Sequence, residues 1–291
     1  MTEHGIQIIE SLDDPRVAGY RSLRERSLRD EGLFITEGAL LAQRLGQSRF
    51  PLQSLLVAQE SAARFGSRMP GGVPLYVATA ALMRQIVGFD FHRGVLGLGR
   101  RLPFPGATEL MAQLTEPTEA KGGKYLHEPL QLVACPGTGS GENLGMILRS
   151  AAAFGVQGVL LPLDGADPLS RRCLRQSMGS ALALPIARSA SLLQELQALR
   201  QASGLRLVAA VAGPGDGEHK GSVVSLAGFS WPQRAVLIVG NEFHGLDAAW
   251  LGTCDDLVTI PLAPGCDSLN VAVATGVLLH QMRASLPLTS R

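Results

Sequence analysis

Apolar residues recur along this chain in two rhythms, and the arrangement changes near residue 130. Between residues 10 and 100, RVAGYRSLRERSLRD has helical spacing and FITEG reads as a short strand turning into a helix. SLLVA, PLYVA and RGVLGLG read as further strands with short helical segments between them. From residue 101 to 129 the periodicity fades into a proline- and glycine-rich stretch with one short helix at ATELMAQL. That stretch reads as an interdomain connection, with a mobile loop expected past Glu116. From Leu130 onward, strands and helices alternate. LQLVAC, GVLLPL, ALPIA, LRLVAAVA, AVLIVG and LVTIPL are the strands. NLGMILRSAAAFG, SRRCLRQSMGSA, SLLQELQALRQA and LNVAVATGVLLHQM are the helices. Continuous apolar strands alternating with helices predict a mostly parallel sheet covered on both faces, with ligands held at the carboxyl ends of strands. The fold class is therefore α/β, with a smaller N-terminal α/β domain ahead of the large one.

Composition narrows this only in part. Of 291 residues, 46% are hydrophobic and 18% charged, which suits buried cores and excludes disorder and coiled coil. The 34 glycines exceed the ~7% average share, as many tight strand-to-helix turns require. A net charge of +1 neither requires nor excludes a polyanionic partner, because a neutral total can hide a basic surface. No apolar run reaches a membrane span, and MTEHGIQIIESLDDP lacks the basic-then-apolar pattern of a signal peptide, so a cytoplasmic location is expected. Cys135, Cys173, Cys254 and Cys266 are far apart and lack ligand spacing; they read as buried or incidental thiols, with no metal expected.

Three segments interrupt the apolar pattern with polar residues at strand ends. In GENLGMILRSAAAFG, Asn143 and Arg149 are six residues apart, ~600° of helical turn, so they do not stack on one face. Taken alone, Arg149 reads first as an ion-paired arginine at a core edge. In AVLIVGNEFHGL, Gly240 and Gly245 permit a tight turn around Glu242, which by itself is a cap, an orienting group or an exposed side chain. In TIPLAPGCDSLNVAVATGVLLHQ, Ser268 and Asn270 precede an apolar helix, and Ser268 reads as a natural N-cap. That helix is apolar almost all round, so a second body must cover part of it.

In this order and spacing, the three segments resemble those of the knotted methyltransferase superfamily, and within it the SpoU/TrmH-type RNA 2′-O-ribose methyltransferases. D-P-R-V, L-R-E-R, G-L-F-I-T-E-G and R-G-V-L-G are similar to that family's substrate-binding domain, so the resemblance covers roughly residues 10–284. One departure stands out: C-P-G-T-G-S-G-E-N occupies the place of the family's Asp-Pro-x-Asn stretch.

The resemblance implies a C-terminal trefoil-knotted, mostly parallel sheet with helices on both faces. It divides the chain into an RNA substrate-binding domain (1–100), a linker (101–129) and a SPOUT methyltransferase domain (130–291). It implies S-adenosylmethionine as cofactor, held by Gly240, Ile260 and Leu269 with Leu262 nearby. Arg149 is the implied catalytic residue, with Asn143, Glu242, Ser268 and Asn270 orienting it and the ribose. It also implies a homodimer acting on RNA, ribosomal RNA before transfer RNA, with a non-catalytic RNA-binding or assembly factor as the rival from another class. A base-nitrogen methyltransferase is the rival within enzymes. Arg16, Arg21, Arg24, Arg26 and Arg29 are candidate RNA contacts, though interleaved acids make a solvated helix face an equal account. Arg171, Arg172 and Arg175 form a denser basic cluster.

Overall fold

The computed structural model describes residues 6–21, 25–65, 72–88, 94–116, 129–213 and 223–286. The chain divides into two compact units, one of residues 1–103 and 167–183, the other of 104–166 and 184–291.

In the first unit, β1 (Ile6–Ile8), α1 (Glu25–Asp30), β2 (Leu33–Glu37), α2 (Ala39–Gly46), β3 (Leu52–Ala58), α3 (Gln59–Phe65), β4 (Leu75–Ala78), α4 (Ala80–Val87) and β5 (Val95–Arg100) follow one another. Their sheet has the order β1-β4-β3-β5-β2, parallel from β1 to β3 and antiparallel at both flanks of β5. The strands expected at FITEG, SLLVA, PLYVA and RGVLGLG are all present. The single helix expected over residues 16–30 is instead a 3-10 turn at Pro15–Tyr20 and α1, with residues 22–24 outside the described ones. Val17 and Tyr20 are buried there, and a Cβ on Gly19 would stand 2.9 Å from Leu98, so packing sets this local path. Among the arginines expected to meet RNA, Arg16 is engaged by Asp14, whose carboxyl it holds down to about 2. Arg21 donates to the Asp14 carbonyl, Arg26 and Arg29 are exposed, and Arg24 lies outside the described residues.

The second unit holds α5 (Ala107–Thr115), β6 (Leu130–Ala134), α6 (Gly141–Ala153) and β7 (Gly158–Pro162). The chain then passes through α7 (Arg171–Gln176), which belongs to the first unit. It returns as β8 (Ile186–Ser189), α8 (Leu192–Ser203), β9 (Arg206–Val211), β10 (Val223–Ser225), β11 (Arg234–Ile238), α9 (Ala248–Thr253), β12 (Asp256–Thr259) and α10 (Val271–Ala284). The seven strands run parallel in the order β10-β12-β9-β11-β6-β7-β8, and β6, apolar but for Gln131, and the inner part of β9 are buried, as a two-sided sheet demands. This is the α/β class expected. Strand β10 and helix α9 escape the apolar pattern because each is a few residues long.

Helix α5, expected as part of a connection, is held in the second unit. Ala107, Leu110 and Met111 join its core, and Glu195 on α8 accepts from the Ala107 (2.7 Å) and Thr108 (3.3 Å) amides at its first turn. The mobile loop expected past Glu116 lies outside the described residues. No helix among the described residues is long and apolar enough to cross a membrane.

The crossover from β7 to β8 departs from the sequence reading, which placed all of 130–291 together. Arg101 holds Asp167 with two parallel bonds (3.1 and 2.6 Å), and Glu37 at the end of β2 pairs with Arg171. Arg171 is thus a structural partner, while Arg172 and Arg175 remain exposed. Both members of the Arg101–Asp167 pair are largely buried, so removing one strands the other's charge. Asp167→Ala is expected to lower stability by about 1–3 kcal/mol. Urea unfolding measures this, and an unchanged midpoint would refute the role.

Candidate active site

Parallel register aligns the carboxyl ends of four strands: Ile238 of β11 lies beside Ala134 of β6 and Ala209 of β9, and Thr259 of β12 beside Val211 of β9. The ends of β9, β11 and β12 and the segments leaving them, with α10, build a cavity of about 360 Å³. Its walls are mostly apolar: Ala210 to Ala212, Val239, Val258, and Val271, Ala274 and Leu278 of α10. Gly240, Ile260, Leu262 and Leu269, the residues expected to hold a cofactor, all line it, and Glu242 and Ser268 stand at the same cavity.

The turn after β11 is built by Asn241, a residue the sequence reading passed over. Its backbone exchanges two hydrogen bonds with Gly245 (2.9 and 3.0 Å). Its side-chain oxygen accepts from the Phe243 and His244 amides (2.8 and 3.3 Å), and its Nδ2 donates to the Gly137 carbonyl (2.9 Å). Two glycines allow this closeness. A Cβ on Gly240 would lie 2.4 Å from the Gly245 carbonyl carbon, and one on Gly137 2.8 Å from the Asn241 nitrogen. The glycine-rich departure from the family's pattern is therefore the segment that meets the turn. The polar G-N-E-F-H-G string was the only local sign of Asn241.

Helix α6 starts at Ser140, whose hydroxyl accepts from the Glu142 and Asn143 amides (3.2 and 3.3 Å). Leu144, Ile147, Leu148 and Ala151 form its buried stripe, which leaves Asn143 at the rim. Helix α10 is capped by Asn270 instead of the expected Ser268: the Asn270 Oδ1 accepts from Ala272 (2.9 Å) and Val273 (3.4 Å). Only a side chain immediately ahead of the first turn reaches those amides, and Ser268 is two residues too early.

Three of the expected residues form one directed chain. Asn270 Nδ2 donates to Asn143 Oδ1 (3.1 Å), and Asn143 Nδ2 donates to Glu242 Oε1 (2.7 Å). Because the Asn270 oxygen is committed to the helix cap, its amide must donate outward. That fixes Asn143 and leaves Glu242 as the acceptor at the end. Ser268 is exposed at the cavity. Arg149 stands apart: it is exposed, about 9 Å further along α6 than Asn143, and makes no hydrogen bond or ion pair among the described residues. The ion-paired alternative for Arg149 finds no carboxylate partner among the described residues. Cys135, at the end of β6, is fully buried, and burial pushes its thiol up to about 12, so it is no nucleophile here.

Residues 131–280 match the family model of the SpoU rRNA methylase family. The chain belongs to that family. An uncharacterized tRNA/rRNA methyltransferase of Mycobacterium bovis is 34% identical over 286 residues, spanning 96% of this chain and 92% of the relative. Among solved structures, the AdoMet-bound rRNA methyltransferase from Sinorhizobium meliloti superposes with a TM-score of 0.76 at 25% identity, covering 97% of this chain and 99% of its own. The SpoU methyltransferase AviRb from Streptomyces viridochromogenes, in complex with AdoMet, shares the fold with a TM-score of 0.72 at 22% identity over 93% of this chain and 98% of its own. In this SpoU-family chain, the fold joins the segments at Asn270, Asn143 and Glu242 by hydrogen bonds, and the Glu242 end of that chain lines the cavity.

Proposed function

We propose that this SpoU-family protein transfers a methyl group from S-adenosylmethionine to a ribose 2′-hydroxyl of RNA, with ribosomal RNA the favoured substrate. The observation that carries this reading is the Asn270–Asn143–Glu242 chain, set on the rim of an apolar cavity at the strand ends.

The cavity suits the cofactor. Its size falls within the ~300–1,000 Å³ of small-molecule sites. Its walls fit an adenosyl group, and the absence of a side chain at Gly240 leaves the turn's backbone bare beside it. Gly240, Ile260 and Leu269 hold the cofactor through backbone groups, with Leu262 against it. When bound, S-adenosylmethionine supplies the electrophilic methyl carbon.

The protein's own groups hold the attacking oxygen in line and ease loss of its proton. Asn143, Glu242, Ser268 and Asn270 fix the ribose by hydrogen bonds. Arg149 places its guanidinium beside the developing alkoxide. A guanidinium offers donors and no acceptor, so the proton goes to a neighbouring phosphate or water. A 2′-hydroxyl nucleophile makes RNA, not DNA, the substrate. Helices α6 and α10 pack together and expose Met146, Val273 and Val277, the face on which a second copy is expected.

Incubation with tritiated S-adenosylmethionine and total RNA from a strain lacking the protein tests the reaction. Label is expected in ribosomal RNA, in a 2′-O-methylnucleoside whose neighbouring phosphodiester resists alkali. Label in a base would refute ribose chemistry, and label in transfer RNA the substrate assignment. Cofactor binding without any transfer would identify a non-catalytic factor.

A further inference from the structure

Phe243 is 87% exposed, more than any other large apolar side chain among the described residues. Burial of an aromatic ring is one of the larger stabilising transfers a side chain makes, and this ring forgoes it. Its backbone is nonetheless held. The Phe243 amide donates to Asn241 Oδ1 (2.8 Å) inside the turn closed by the paired Asn241–Gly245 bonds. The residue also lines the same cavity as Glu242 and Ser268. A rigid turn thus presents a bare aromatic face at the mouth of the methyl-transfer site.

The reaction gives such a face a use. A ribose hydroxyl that enters the cavity to meet the methyl carbon draws its nucleotide in with it, and a nucleotide splayed out of a single-stranded segment leaves its base without stacking neighbours. An aromatic side chain beside the opening replaces them, and it does so for any base, since every base has a π-face. We infer that Phe243 is the stacking platform for the base of the nucleotide being methylated. This rests on the reading of the substrate as an RNA ribose. It adds a residue that selects an unstacked nucleotide by geometry instead of by base identity.

The test compares the full-length wild type with Phe243→Ala, Phe243→Leu and Phe243→Trp, using tritiated S-adenosylmethionine and total RNA from the strain lacking the protein. Phe243→Ala is expected to raise KM for RNA roughly tenfold, with kcat changed far less. Cofactor affinity by calorimetry and molecular mass by light scattering stay at wild-type values. Phe243→Trp restores KM, whereas Phe243→Leu, apolar but without a π-face, does not. An unchanged KM in Phe243→Ala, or rescue by leucine as complete as by tryptophan, overturns the proposal. So does a loss that follows cofactor affinity, which would place the ring over the cofactor, or a changed mass, which would place it against a second copy. Failure of the wild type to label RNA removes the functional reading, and this proposal with it, before any variant is compared.

Discussion

Arg149→Ala is expected to slow methyl transfer by roughly 10²–10³ while leaving the fold intact. The side chain is exposed on α6 and makes no hydrogen bond or ion pair among the described residues, and its neighbours Ile147, Leu148 and Ala151 already form the buried stripe. Surface substitutions of that kind change stability by about 0.5 kcal/mol or less. Removing a cation that meets charge only as it develops costs roughly 10²–10³ in rate. Thermal unfolding and initial rates with tritiated S-adenosylmethionine separate the two. Arg149→Lys is expected to recover little, because an ammonium has neither the planar fork nor the reach of a guanidinium. A variant that methylates at the wild-type rate would remove Arg149 from the reaction, and one that unfolds would assign it to structure.

Gly240→Ala is expected to have the second-largest effect, by the opposite route. The new methyl would meet the Gly245 carbonyl carbon at 2.4 Å, its oxygen at 2.6 Å and the Leu246 nitrogen at 2.7 Å. All three are backbone atoms of a turn tied by the paired Asn241–Gly245 bonds and by Asn241 to Gly137, so nothing flexible gives way. Overpacking of this kind costs about 1–3 kcal/mol. The same shift opens the cavity wall, so affinity for S-adenosylmethionine is expected to fall at least roughly tenfold. Calorimetric titration and thermal unfolding report the two losses. Gly252→Ala is the control: it lies within α9 with open space around the added methyl, and is expected to stabilise by about 0.4–1 kcal/mol. Cofactor affinity equal to wild type in Gly240→Ala would show that the turn adapts and that Gly240 does not shape the site.

Legibility in the sequence followed the range of the interactions. Helices α6 and α10 and strands β6, β9 and β11 announce themselves because burial periodicity is local and strong. The site motifs were legible for the same reason: polar residues at the ends of apolar strands have few local uses. Asn241 was not, since its partners are Gly137, more than a hundred residues earlier, and the backbone of its own turn. The cap of α10 went to Asn270 instead of Ser268 because one register position decides which oxygen meets the first-turn amides. Arg171 reads in the sequence as one of a basic trio, yet its carboxylate partner Glu37 is 134 residues away. An ion pair at that separation leaves no periodic trace.

The same crossover bears on how the chain can be synthesised and recombined. A nascent chain that has reached Arg101 still lacks Asp167, and Glu37 lacks Arg171, so the first unit completes only after residue 183 has left the ribosome. By then all of α6 and β7 has already emerged. Nor is the first unit a single exchangeable cassette: a transplant of residues 1–103 alone would arrive without its own α7 and leave the recipient with an unmatched one. Inheritance of the whole first unit therefore requires two breakpoints around β6 and β7, or co-evolution of Arg101–Asp167 and Glu37–Arg171 across a single one.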